Sequence, residues 1–283
     1  MHPGKLRWLR ALGWGLGLIV IIVGAGTLVG ILASLAGIPK TGPAALIHVV
    51  PAVTASLAIY FLAIRLGEKR RVTELAPGRL PLELTAGLLG GMGLFALTMT
   101  TLYTAGFYDV SAGPPGPPWK GLALSIVSGP IEELVFRAVI LRLLWEAFGL
   151  RVALAASAAL FGLAHLLNPQ HSLMGALSII TEAGLTLGAI FVLTGRLWAC
   201  IGAHSGWNFA QGYIFGAKVS GTDAGGHWLS STPHPGVSDF LTGGIFGPEA
   251  SLSAILCGTL AGVALLLLAR RKPATPQPAL APS

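Results

Sequence analysis

Charge is what this sequence has least of. Only 10% of its 283 residues are Asp, Glu, Lys or Arg, against 53% apolar, and the mean hydropathy is +0.75. A soluble globular domain carries about a quarter charged residues, so the composition excludes that class and indicates a polytopic membrane protein. Cysteine is almost as scarce. Cys200 and Cys257 both fall inside apolar segments with no CxxC spacing, which argues against a disulfide framework and against a cysteine-built metal or redox centre. No HExxH helix is present, so the local zincin signature is missing. No convincing internal repeat is visible either, which disfavours an inverted-repeat transporter.

What fills the chain instead is long apolar runs. Those at 12–37, 43–65, 82–106, 120–148, 151–167, 172–194, 196–217 and 251–269 predict eight membrane-spanning helices and an all-α polytopic bundle. The run after Arg10 is too long for the h-region of a signal peptide and reads as an uncleaved first helix. Basic residues alternate between loops. Lys5, Arg7, Arg10, Arg65, Lys69, Arg70, Arg71, Arg79, Arg142, Arg151, Arg196, Arg270, Arg271 and Lys272 fall on one side, 14 in all, against 3 (Lys40, Lys120 and Lys218) on the other. The positive-inside rule places both termini in the cytoplasm. The net charge of +7 is then membrane anchoring and calls for no nucleic-acid partner. The Ala-, Leu- and Gly-heavy composition points to a bacterial inner membrane.

The chain divides into three spans over 1–119, a polar-bearing region with an outer loop over 120–250, a last span over 251–272 and a tail over 273–283. The tail, PATPQPALAPS, is of low complexity and is expected to be disordered. Residues 107–119 form a Pro/Gly-rich outer connection. Residues 218–250 form the longest loop, expected to be a lid, a binding element or disordered. The 39 glycines are read as helix-packing surface, as at Gly13, Gly15 and Gly17 or at Gly87, Gly90, Gly91 and Gly93.

Against this background a few polar residues stand out at membrane depth, where each costs several kcal/mol, of order 2–4, unless paired or used. In SGPIEELVFR, Pro130 predicts a kink or a helix start. Glu133 and Arg137 are four apart, share a face and can pair. Glu132 is turned about 100° away and is left free to face a cavity. The alternative is that both acids belong to a structural ion pair between helices. Phe161 and His165 share a face of the fifth span, where the histidine could be purely structural. His204 and Asn208 lie four apart in the seventh and point into one space; interhelical hydrogen bonding would also account for them. Counting rise per residue from the flanking basic residues puts Glu132 and His204 at one depth and His165 about 9 Å higher, a gap that helix tilt can close. His48 is expected to bond between helices, His171 to lie at the membrane surface, and His227 and His234 to lie in the outer loop.

EELVFR at 132–137 fits EExxxR, FGLAH at 161–165 fits FxxxH, and HSGWN at 204–208 fits HxxxN. In this order on successive membrane helices, they resemble the CPBP intramembrane protease family, which includes the type II CAAX prenyl endopeptidases of the Rce1 kind and bacterial Abi-type proteins. The resemblance covers residues 120–250, and LTGGIFGPEASL ahead of the last span also looks typical. It implies hydrolysis of a peptide bond within the membrane. Glu132 would activate water as general base with help from His165, and His204 and Asn208 would stabilise the oxyanion. Arg137 would orient Glu133, and Phe161 would support His165. The implied partners are a peptide or membrane-protein substrate and the lipid bilayer.

The family's metalloprotease label implies a rival version in which Glu132, His165 and His204 hold one divalent metal, such as zinc, with water in the fourth position. Two other classes use the same residues. A scaffold would keep the fold and cleave nothing, and a proton-coupled transporter would relay protons through the buried Glu and His side chains.

Overall fold

A computed structural model describes residues 7–113 and 116–271; the tail 273–283 lies outside the described residues. The helices are α1 (Arg7–Leu35), α2 (Ala45–Ala63), α3 (Leu80–Thr104), α4 (Trp119–Glu133), α5 (Arg142–Phe148), α6 (Leu150–Ala164), α7 (Leu173–Ile179), α8 (Leu185–Thr194), α9 (Trp198–Phe209), α10 (Asp239–Thr242) and α11 (Leu252–Arg271). The π-helical turns Leu134–Leu141 join α4 to α5, and Ile180–Gly184 join α7 to α8, so each pair forms one continuous rod. Six helices among the described residues are long and apolar enough to cross a membrane, namely Ala11–Leu35, Gly42–Glu68, Thr73–Thr104, Leu150–Leu167, Leu173–Thr194 and Leu252–Arg271. The α4–α5 rod and α9 are not among them. They carry the acids, Arg137, His204 and Asn208, and polarity of this kind lowers a helix's hydropathy.

The bundle is apolar outside and polar inside. Leu12, Leu16 and Val20 on α1, Leu160 on α6 and Leu256 and Leu260 on α11 are exposed, whereas Glu133, Arg137, His165, Glu182, His204, Asn208 and Glu249 are buried. In lipid no water satisfies the backbone, so apolar helices with internally bonded peptide groups are the stable elements. The protein is an integral membrane helical bundle.

Close helix contact is concentrated on α9. A Cβ added at Gly87 or Gly91 of α3 would overlap the carbonyl oxygens of Ala199 and Ala203. One added at Gly202 or Gly206 of α9 would overlap those of Leu84 and Leu88. Glycines thus mesh from both sides, as small residues do where helix backbones approach in membranes. Of the glycines expected to pack, Gly15 meets Leu143, but Gly13, Gly17, Gly90 and Gly93 meet nothing. Those four are corrections, because their faces point away from neighbouring helices.

The loops carrying Arg70 and Arg196 and the start of α5 at Arg142 lie at one end of the bundle, where Leu197 N bonds the Glu74 carbonyl and Arg142 pairs with Glu68. Arg142 Nη2 is 2.6 Å from Glu68 Oε1 and Arg142 Nη1 is 3.0 Å from Glu146. Trp14 donates to Glu68 at 2.8 Å, and Arg70 pairs with Glu74 at 2.6 Å. At the other end, the connection after α3 is more regular than the Pro/Gly content suggested. It contains β1 (Tyr108–Ala112), which pairs antiparallel with β2 (Leu229–Pro233) from the longest loop, in the register Tyr108↔Pro233 to Ala112↔Leu229. This hairpin-like lacing ties two loops into one cap. Of the two readings of Pro130, the helix start does not hold. It lies within α4, which starts at Trp119, eleven residues earlier in the numbering.

Candidate active site

Three of the helices that supply the polar residues widen beside them, whereas α6 tightens into a 3-10 turn at His165. Glu133 ends α4 and is followed by the π-helical stretch Leu134–Leu141. Glu182 lies in the π turn Ile180–Gly184, and Asn208 stands just before the π turn Ala210–Ile214. Such segments interrupt the regular backbone ladder and recur at functional sites.

Glu133 is the hinge of the polar cluster. Its side chain is 0% exposed, and Oε2 lies 3.1 Å from Arg137 Nε. That contact is an ion pair by distance without hydrogen-bond alignment, since neither atom finds a hydrogen-bond partner among the described residues. Oε1 lies 2.9 Å from His204 Nδ1. Arg137 completes its surroundings with a hydrogen bond to the Ala183 carbonyl at 3.3 Å and lies 4.3 Å above the Phe161 ring, where a guanidinium is attracted to the aromatic face. The i, i+4 reading of Glu133 and Arg137 therefore describes an observed pair.

Glu132 is 32% exposed, and its Oε2 lies 3.9 Å from His204 Nε2. The expectation that the two acids point to separate places needs correcting, because both flank the same imidazole, one at each ring nitrogen. The wide turns after Glu133 and the position of α9 bring this about. Glu132 does keep its carboxylate outside the Arg137 pair.

His165 comes to the cluster despite the greater height computed for it. It caps α6, and the Phe161 ring stands 4.9 Å from its ring and 5.9 Å from that of His204. His165 Nδ1 lies 2.8 Å from the Phe161 carbonyl. A carbonyl only accepts, so Nδ1 carries the proton and Nε2 of the neutral ring is left as an acceptor. Asn208 Nδ2 donates to Ser128 Oγ at 2.9 Å, which leaves its second amide hydrogen free. Ser128 sits one turn before Glu132 and went unnoticed in the sequence, although its i, i+4 relation to Glu132 was a usable signal.

A cavity of about 50 Å³ adjoins this cluster. Phe161, His165, His204 and Asn208 line it together with Glu182, Glu249, Thr186, Ser220 and apolar side chains. Glu182 and Glu249 were not anticipated as site residues. Glu249 lies in the turn Pro248–Ala250 ahead of α11. Burial pushes its carboxyl up to about 7, against the opposing pull of the Ser220 amide that it accepts from.

The remaining histidines lie elsewhere. His48 Nε2 is 2.9 Å from the Ile38 carbonyl in the α1–α2 connection. His171, His227 and His234 bond to local loop carbonyls. Among the described residues no group of three or more His, Cys, Asp or Glu side chains is gathered so as to hold a metal ion. Glu132, His165 and His204 therefore do not form a ready ligand set in this geometry.

Residues 114–210 match the family model described as type II CAAX prenyl endopeptidase Rce1-like. The match takes in α4 through α9, the helices that supply Glu132, Glu133, Arg137, Phe161, His165, His204 and Asn208, so the resemblance read from the three motifs holds over the site. Neither a curated protein nor a solved structure matches the chain significantly.

Proposed function

We propose that this protein is an intramembrane endopeptidase of the CAAX-protease type, hydrolysing a peptide bond in a peptide or membrane-protein substrate with water activated by Glu132. The observation that carries this reading is the division of labour between adjacent acids. Glu133 is locked between Arg137 and His204, whereas Glu132 is partly exposed beside His204 Nε2. Glu132 is outside the lining of the cavity itself, but a partly exposed carboxylate beside an imidazole that lines it, and free of the Arg137 pair, suits a general base.

The steps follow from the hydrogen bonds. His165, with Nδ1–H committed to Phe161, presents Nε2 to hold the water that Glu132 deprotonates. The hydroxide attacks the substrate carbonyl. His204 is oriented through Nδ1 by Glu133 and donates from Nε2 to the oxyanion when that atom carries a proton. Asn208, fixed by Ser128, donates its second amide hydrogen. Donors placed in this way are worth about 3–4 kcal/mol of transition-state stabilisation in a dry site. The proton held by Glu132 then goes to the departing amine.

The membrane setting of the proposal is a bacterial inner membrane with both termini cytoplasmic. The test is cleavage of a peptide library by purified protein in detergent, with metal analysis of the same sample. Wild-type protein is expected to cut, and Glu132→Gln to lose cutting by at least about 100-fold while keeping its elution volume and melting temperature. A folded wild-type protein that cuts nothing would favour a scaffold. Substrate-dependent proton flux in proteoliposomes without a peptide product would favour a transporter. One bound divalent ion per chain, lost in His165→Ala, would favour the metal version.

A further inference from the structure

The hydrolysis scheme leaves two carboxyl groups of the chamber unused. Glu182, from the π turn between α7 and α8, and Glu249, from the turn ahead of α11, are both buried and both line the cavity shared by His165, His204 and Asn208. Glu249 Oε1 accepts from the Ser220 amide. Glu182 Oε1 has no hydrogen-bond partner among the described residues, though the side chain is only 3% exposed. No Lys or Arg lines the cavity among the described residues. A buried carboxylate with an empty lone pair is costly, so this wall is complementary to a cation with hydrogen-bond donors.

Size narrows the class. A water needs roughly 10–15 Å³ of such space, so a cavity of about 50 Å³ admits a head group of a few heavy atoms. An ammonium carries three donors and no acceptor, which suits carboxylate oxygens approached from two sides and the neighbouring Thr186 and Ser220.

We infer that Glu182 and Glu249 form a subsite for a primary ammonium group, and that its occupant is the α-amino group freed on the downstream cleavage product. This rests on the hydrolase reading. Hydrolysis breaks the C–N bond, the water oxygen joins the carbonyl carbon, and the two water protons end on the amine nitrogen, giving one carboxylate and one ammonium. The ammonium holds the two carboxyl groups of the wall in their ionised form, and the ionised wall then repels the product carboxylate. The two halves of the substrate are thereby driven apart in the chamber, and the amine is held back from re-attacking the acid.

Binding to purified full-length protein in detergent tests this without cleavage. The probe is leucyl-alanine amide, which has a free ammonium, compared with its N-acetyl form, which has none. Wild-type protein is expected to bind the free amine at least about tenfold more tightly, as charge-assisted hydrogen bonds require. Glu182→Gln and Glu249→Gln should each reduce that preference several-fold. Equal binding of the two probes by wild-type protein, or a preference retained in both variants, overturns the inference. If Glu182→Gln fails to fold, the wild-type comparison and Glu249→Gln decide alone. Glu132-dependent peptide cutting without a free-amine preference ends the subsite and leaves the hydrolase. A variant-sensitive preference without any cutting keeps the ammonium site and ends the hydrolase.

Discussion

His204 Nδ1 lies 2.9 Å from Oε1 of Glu133, and this bond fixes one helix of the chamber to another. Because the same carboxylate also faces Arg137 at 3.1 Å, Glu133 joins the imidazole on α9 to the guanidinium on the α4–α5 rod. Removing its charge would leave the guanidinium, 1% exposed, without a counterion.

Glu133→Gln is therefore expected to lower stability by about 3–5 kcal/mol, the usual effect of breaking a buried ion pair from one side. Thermal melting in detergent measures it. Glu132→Gln should melt within a degree or two of wild type, so stability alone separates the two acids before any substrate is known.

Ser128→Ala should act on Asn208 alone. The hydroxyl accepts the Asn208 amide at 2.9 Å, and its loss frees the carboxamide to rotate. A fall in kcat of about 3–10-fold with little change in KM is expected, since a positioning bond is worth about 1 kcal/mol. Asn208→Ala, which removes the donor itself, should cost about 100-fold. A Ser128→Ala effect equal to that of Asn208→Ala would point to a direct role for the hydroxyl.

The meshed glycines make a structural prediction. Gly91→Leu and Gly206→Leu have no space against the facing backbones, and both are expected to abolish accumulation of folded protein in the membrane. Gly90→Ala and Gly93→Ala face open space and should be neutral or gain up to about 1 kcal/mol from helix propensity. Melting temperature and expression level give the comparison.

Glu249 predicts a pH dependence of stability. Its carboxyl titrates at about 7 in the folded chain, against an ordinary value of 4.5, because burial disfavours the anion. The folded state thus keeps the proton to higher pH than the unfolded one. Its contribution is fully present below 4.5 and is lost as pH rises through about 7. Glu249→Gln stays neutral throughout, so the melting temperature of wild type should fall relative to the variant between those values. Parallel curves for the two proteins would contradict the burial argument.

Much of the polar cluster was legible because its members sit in local patterns. Glu133 with Arg137, Phe161 with His165, and His204 with Asn208 are each i, i+4 pairs, and helix geometry alone puts each on one face. Meeting across helices was harder to read. A depth count from flanking basic residues separated His165 from its partners, since it assumed straight, untilted helices. Glu182 and Glu249 were missed for a related reason. Each is a lone acid with no charged residue or histidine one turn away to mark it, and α7 packs on the turn before α11, where Ser178 Oγ bonds the Ala250 carbonyl at 3.2 Å. The β1–β2 pairing joins loops far apart in the chain, and their Gly and Pro content gave no sign of a shared ladder.

The backbone-to-backbone contact of α3 with α9 decides which wall of the chamber can give way. Residues that touch without intervening side chains have no slack for sliding or rolling, so His204 and Asn208 ride on a fixed post. Under the proposed function, a polypeptide that enters would have to displace something else. The β-laced cap, which is held by a short ladder and side chains, is where the gate has to be sought.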